Sequence, residues 1–286
     1  MMEHLNQQLF TGERALFKGK DLQISHSVFA DGESPLKESN NIVLENTIFR
    51  WKYPLWYARN IQANNITLVE TARSGIWYTN GITITDSMIQ APKTFRRAAD
   101  IKLERVEMPN AQETLWNCND ITLKQVNAVG DYFAMNSENI RIEHFTLSGN
   151  YAFDGAKNIE ISHAKLLSKD AFWNCENVVV RDSTIIGEYL GWNSKNITFI
   201  DCIIESNQGM CYMENVKMEN CLLINTDLAF EYSTVDVQAN SRIDRVKNPI
   251  SGTITAPAIG ELILVDPEIA AENTKYPLAE EPEYAI

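Results

Sequence analysis

Several features that announce function in other chains are scarce here. Among 286 residues there are four His and five Cys, and Cys118, Cys175, Cys202, Cys211 and Cys221 form no CxxC pair. An odd set without paired spacing reads as reduced thiols rather than as a disulfide framework or zinc site. No run of 18 apolar residues occurs, so no membrane-spanning helix is expected. The segment from Met1 to Lys20 carries Glu3 and Glu13 and no apolar stretch of signal-peptide length, which makes the expected location cytoplasmic. There is no Gly-rich phosphate loop, nucleotide fingerprint or Ser/His/Asp arrangement, and neither a cofactor nor a metal is expected. Positive charge is also short, with 25 Lys plus Arg against 38 Asp plus Glu and a net charge of −13. Such a chain repels phosphate backbones and anionic bilayers, so nucleic acid and membrane are not expected partners.

What the chain does have is a folding composition, 44% hydrophobic with 9% aromatic residues, and a repeat. The pattern is Asn or Asp, an aliphatic residue, any residue, then a second aliphatic. It begins at Asn41, Asn65, Gly81, Asp100, Asp120, Asn139, Asn158, Asn177, Asn196 and Asn215, with outlying copies at Asp21 and Thr234. From Gly81 onward the steps are 19 or 20 residues; before it they are 24 and then 16, a local shift of register. Each copy carries two more short apolar pieces with a period of two, as in Phe145/Leu147, which means strands. About 19 residues cannot hold a helical hairpin rich in β-branched residues, so three short strands per coil, stacked on their equivalents, form a parallel β-solenoid. A left-handed hexapeptide solenoid would show a six-residue period, and a pentapeptide solenoid would be built of fives; neither is present. The expected fold is an all-β, right-handed parallel β-helix of about 11 coils with roughly 19 residues per coil.

Phe10-Thr-Gly-Glu-Arg-Ala-Leu-Phe, Trp51-Lys-Tyr-Pro-Leu-Trp-Tyr, Gly130-Asp-Tyr-Phe, Lys169-Asp-Ala-Phe-Trp-Asn-Cys and Gly187-Glu-Tyr-Leu-Gly-Trp-Asn-Ser carry a resemblance. They are similar to a bacterial family of unknown function with a right-handed parallel β-helix, within the pectin-lyase-like superfamily. The resemblance covers residues 10 to about 255. It implies the fold and no established activity. Residues 1–19 are expected to cap the front of a solenoid spanning 20–255. Residues 256–286 carry seven acids against Lys275 and are expected to be an acidic cap or tail.

Setting the coils in register, with the irregular one counted from Asn60, turns the chain into columns. Four residues before each Asn stand Trp56, Trp77, Arg96, Trp116, Met135, Asp154, Trp173, Trp192, Cys211 and Phe230, so five of the six Trp fall in one column. The position before it (Leu55, Ile76, Phe95, Leu115, Phe153, Phe172) suits the interior, and by alternation the Trp column faces out. Tyr132, Tyr151, Asp170 and Tyr189 stand three residues upstream of it; Arg97, Asn117, Asn136, Asn174 and Asn193 stand beside it. Aromatic faces on sugar C–H surfaces with polar groups reading hydroxyls would be one use of this stripe, and a covered structural ladder would be the other. The candidate ligand-binding residues are therefore Trp56, Trp77, Arg96, Arg97, Trp116, Tyr132, Asn136, Tyr151, Trp173, Tyr189 and Trp192.

Glycoside hydrolysis requires two carboxylates. Asp154, standing where Trp is usual, and Asp170 are the candidates, with Arg96 or Arg97 to hold an acidic group. The Gly-His-Gly and Arg-Ile-Lys blocks of polygalacturonases are absent, which counts against enzymatic activity; if the protein is an enzyme, a glycoside hydrolase- or polysaccharide lyase-like activity is expected. His144 and His163 share a column otherwise filled by ordinary turn residues and are read as such. The sequence-level expectation is a protein that binds or processes an oligosaccharide or glycoconjugate along its aromatic face. The alternative is an interaction scaffold, for which self-association into a homo-oligomer is open.

Overall fold

The two aliphatic residues of each repeat lie two apart, so they share one face of an extended segment. In the computed structural model, which describes residues 2–279, that face points inward. Ile82, Ile101, Ile121 and Ile140 are at most 2% exposed. Each pairs in parallel with its counterpart one turn away, Ile82 with Ile101, Ile101 with Ile121 and Ile121 with Ile140. The chain is an all-β parallel solenoid of about 14 turns with about 19 residues per turn. Its helical pieces, among the described residues, are two short 3-10 turns, Glu70–Ala72 and Ala271–Asn273.

Two compact units divide between Ser148 and Gly149. In the first, the strands Glu3–Asn6, Lys20–Ser25, Asn40–Glu45, Arg59–Asn64, Asn80–Ile89, Ala99–Met108, Asn119–Val129 and Glu138–Ser148 pair in sequence order. In the second, Lys157–Leu167 begins a stack that continues through Glu176–Arg181, Lys195–Ile200, Glu214–Asp227, Thr234–Ala239 and Ser251–Thr255 to Thr274–Lys275.

The two ends and the number of coils differ from expectation. The front is not a separate cap: Glu3–Asn6 and Leu9–Phe10 are strands of the stack, and the Phe10 ring lies 4.7 Å from that of Phe29. At the other end Ile259–Ile263 pairs with Ile243–Lys247, and Thr274–Lys275 is the last strand of the stack among the described residues, so strands run past 255. These terminal turns lack the Asn signature, which is why the count of 11 fell short; Glu280, Glu281 and Glu283 of the expected acidic tail lie outside the described residues. The apparent register shift has a simple cause. Asn60, from which the sequence columns count the irregular coil, is in register, because Arg59 pairs with both Asn40 and Asn80. The extra length of that coil is taken up at the 3-10 turn Glu70–Ala72.

The Asn signature marks a left-handed corner. Asn158, Asn177, Asn196 and Asn215 have φ between 55° and 64°, a region that Asn enters at lower cost than most residues. Their side chains form a ladder: Nδ2 of Asn177 donates to Oδ1 of Asn158 at 3.0 Å, Asn196 to Asn177 at 3.0 Å, and Asn215 to Asn196 at 2.8 Å. The same residue thus supplies the turn and the link to the preceding coil.

The candidate site and its relatives

The aromatic face is built on a run of alternating left-handed residues. In the coil that carries Arg96 these are Lys93, Phe95 and Arg97, with φ of 59°, 59° and 50°. Their N–H groups point alternately to the next coil and the previous one: Lys93 donates to Gln112 O at 2.8 Å, Phe95 to Gly75 O at 3.2 Å, and Arg97 to Trp116 O at 2.9 Å. The inward member, Phe95, is fully buried, while Arg96 beside it is half-buried. Short segments of this kind present three adjacent columns to one face.

In the first unit the Trp column is a stack. The rings of Trp56 and Trp77 lie 5.1 Å apart and within 8° of parallel. The Arg96 guanidinium fills the gap where no Trp stands, 4.7 Å from Trp77 and 4.6 Å from Trp116. Glu113 accepts from Arg96 at 3.3 Å and pairs with Lys93 at 3.3 Å, which balances the half-buried cation. Each indole N–H is used: Trp56 donates to Ser74 O at 2.6 Å, Trp77 to Lys93 O at 2.8 Å, and Trp116 to Tyr132 O at 2.6 Å. Tyr132 meets Trp116 edge-on at 6.3 Å. These rings face one another along the stack, so the ladder spends its faces and its donors on the protein itself.

The second unit repeats the scheme. Trp173 and Trp192 stack at 5.8 Å, and their N–H groups donate to Tyr189 O at 2.7 Å and Gln208 O at 2.6 Å. Tyr151 and Tyr189 meet the indoles edge-on. Asp154 stands in the Trp column and accepts from Asn174 at 2.9 Å. Asp170 is 2% exposed. Burial holds its carboxyl above the ordinary carboxylate range, opposed by the charge of Lys169 and a hydrogen bond from Tyr151.

The more exposed groups stand in the next column. Tyr57, 45% exposed, lies parallel to Tyr78 at 4.7 Å, and the Arg97 guanidinium is 5.9 Å from the Tyr78 ring. Asn117 and Asn136 continue the row as exposed amides. In the second unit Asn174, Asn193 and Tyr212 are exposed in the same position, and Tyr232 donates to Asp266 at 2.7 Å, where the C-terminal segment reaches this face. Of the candidate residues, the first unit gathers Trp56, Trp77, Arg96, Arg97, Trp116, Tyr132 and Asn136 on its face. The second gathers Tyr151, Asp154, Asp170, Trp173, Tyr189 and Trp192. Sequence reasoning passed over Tyr57, Tyr78 and Tyr212; carrying the Arg97–Asn136 register in both directions would have found them.

The remaining titratable groups offer little chemistry. All five thiols are buried and free, and burial pushes those of Cys118 and Cys211 up to about 12. Among the described residues no three His, Cys, Asp or Glu gather as metal ligands, and no helix is long and apolar enough to cross a membrane.

Residues 3–276 match the model of a protein family of unknown function, DUF3737. The chain belongs to that family. No curated protein matches it. Among solved structures it is similar to the A-module of the mannuronan C-5 epimerase AlgE4 of Azotobacter vinelandii, at 8% identity and a TM-score of 0.34, over 98% of this chain and 89% of that one. It is also similar to QnrB1, a plasmid-mediated fluoroquinolone resistance protein, at 12% identity and a TM-score of 0.26, over 78% of this chain and 91% of that one. A third is the Dettilon tailspike protein, at 8% identity and a TM-score of 0.24, over 98% of this chain and 60% of that one. These likenesses concern the stacking of strands alone.

Proposed function

We propose that this protein binds a carbohydrate along the outer row of its aromatic face and does not cleave it. The supporting observation is the parallel pair Tyr57–Tyr78, flanked by Arg97 and continued by the amides of Asn117 and Asn136. Phenol, guanidinium and amide groups on a rigid backing are suited to reading the hydroxyls of a sugar chain. The indole ladder is that backing: its faces are closed to a ligand, and its contribution is to fix the row in front of it.

Cleavage is a poorer fit. A carboxylate acting as general acid has to reach the glycosidic oxygen, and Asp170 at 2% exposure is closed off, while Asp154 is engaged by Asn174. The test is a titration with neutral, uronic and amino-sugar oligosaccharides while tryptophan and tyrosine fluorescence are followed. Saturable binding with the sugar chain recovered at its original length is expected. No response from any class sinks the reading, and shortened products refute its non-hydrolytic part.

A second reading, an interaction scaffold, draws on a different face. In the second unit Leu167, Ile186 and Ile224 stand in one outward row with Glu205, and Ile203 stands beside it. Each of these aliphatic residues is 37–45% exposed. An aliphatic row on a sheet is suited to burial against another protein. Light scattering that gives the monomer mass at every concentration, together with clean sugar binding, decides for the first reading.

A further inference from the structure

The charge of the chain is not spread evenly. Between Lys37 and Arg97 there are eight Lys or Arg and four acids, Glu38, Glu45, Glu70 and Asp86, a local charge of +4 within a chain of −13. The fold of the first unit brings part of this excess to the aromatic face. Nζ of Lys37 lies 5.8 Å from the Tyr57 ring and 6.0 Å from that of Trp56. Arg97 lies 5.9 Å from the Tyr78 ring. The sequence of groups is therefore cation, phenol, phenol, cation, on four successive coils.

Three other cations of this region are already neutralised. Lys52 pairs with Glu33 at 3.0 Å, and Lys93 and Arg96 share Glu113. Glu38, which precedes Tyr57 in its column, pairs with Lys18 at 3.8 Å. Lys37, Arg73 and Arg97 have no carboxylate partner among the described residues. Of these, Lys37 and Arg97 stand over rings with their charge open to an incoming anion.

We infer that the Lys37–Tyr57–Tyr78–Arg97 row is the binding site of an anionic saccharide whose acidic groups are carboxylates, that is, a uronate-type oligosaccharide. This rests on the carbohydrate reading above and gives it a ligand class. Coils repeat about every 4.8 Å, so the two cations stand roughly 14 Å apart along the stack. Two phenols lie between them. Carboxylates spaced along a sugar chain meet the cations, and ring hydroxyls meet the phenol edges. A nucleic acid is a poorer match. The faces of Tyr57 and Tyr78 are covered by each other and by the flanking cations, so no open ring is left for a base to stack on. A densely charged phosphate chain also meets the negative remainder of the protein.

The experiment uses the full chain and three probes: an oligogalacturonate, the same oligomer fully methyl-esterified, and single-stranded DNA of similar length. Affinity is measured by calorimetry at several salt concentrations. The expected result is that the free acid binds at least tenfold more tightly than the ester and weakens as salt rises. Lys37→Gln should lower its affinity roughly fivefold and leave the ester unaffected, and Arg97→Gln should lower the affinity for the free acid by more than that for the ester. Both substitutions are on the surface, and an unchanged melting temperature shows that the fold is kept. Equal affinity for acid and ester in all proteins overturns the anionic assignment and leaves the carbohydrate reading standing. Binding of neither sugar overturns both. Tighter binding of DNA than of the uronate, lost in the same two variants, assigns the row to a different polyanion and overturns the inference.

Discussion

Single residues hold this protein together in ways that their type only partly advertises. Ser194 is 1% exposed. Its hydroxyl donates to Phe172 O at 2.6 Å and accepts from the Cys175 N–H at 2.8 Å, which ties its coil to the one before. Ser137 does the same with Leu115 O and Cys118 N–H in the first unit. Ser194→Ala leaves a buried donor and a buried acceptor unmet, so a loss of about 1–3 kcal/mol in urea denaturation is expected; a loss indistinguishable from zero would mean that water replaces the hydroxyl. Asp170 is the opposite case, a buried group whose charged form costs stability. Its carboxyl is held above its ordinary range by burial, so the folded state binds the proton more tightly than the unfolded state, and stability falls as pH rises through the folded value. Asp170→Asn keeps an acceptor for the Tyr151 hydroxyl and removes the charge. The variant should melt above the wild type at pH 7.5, with the gap closing as the pH falls towards 4. A gap that widens in acid would contradict the assignment.

At the scale of one coil, the sequence revealed the strands and one kind of corner. The period of two identified the inward rows and the recurrent Asn marked the corner, because both are written in residue chemistry; the Asn158–Asn215 ladder emerged only in the structure. The alternating left-handed run Lys93–Phe95–Arg97 is not written that way: Phe and Arg have no preference for positive φ. It follows from cross-coil hydrogen bonds, which a single coil cannot form. For the same reason the outward column was legible while the direction of its ring faces was not. Stacking along the column depends on the neighbouring coil supplying another ring, or, at Arg96, a cation. The Asn ladder separates the two contributions experimentally. Asn196→Gly keeps access to the left-handed corner and loses the amide links, whereas Asn196→Ala loses both. Chemical denaturation should rank the wild type above Gly, and Gly above Ala by about 1 kcal/mol. If Ala equals Gly, φ at this corner carries no cost.

Across the molecule, stability accumulates turn by turn, because in each unit a turn pairs with the turns before and after it. The end turns were the ones that sequence reading left out, and the reason is physical. Glu3–Asn6 is largely exposed and pairs with Lys20–Ser25 on one side, so it needs neither the Asn corner nor two aliphatic residues facing inward. Thr274–Lys275 is two residues long and pairs with Ser251–Thr255. Middle rungs of the first unit differ: Ile101 is flanked by Ile82 and Ile121, and all three are buried. A turn with one neighbour has half the interface of a turn with two, so opening should begin at such ends. Native-state hydrogen exchange tests this directly. The amide of Leu5 should exchange at least a hundredfold faster than that of Ile101, and Lys275 faster than Val178. Equal protection at Leu5 and Ile101 would mean that the first unit opens only as a whole, and the turn-by-turn account would have to be given up.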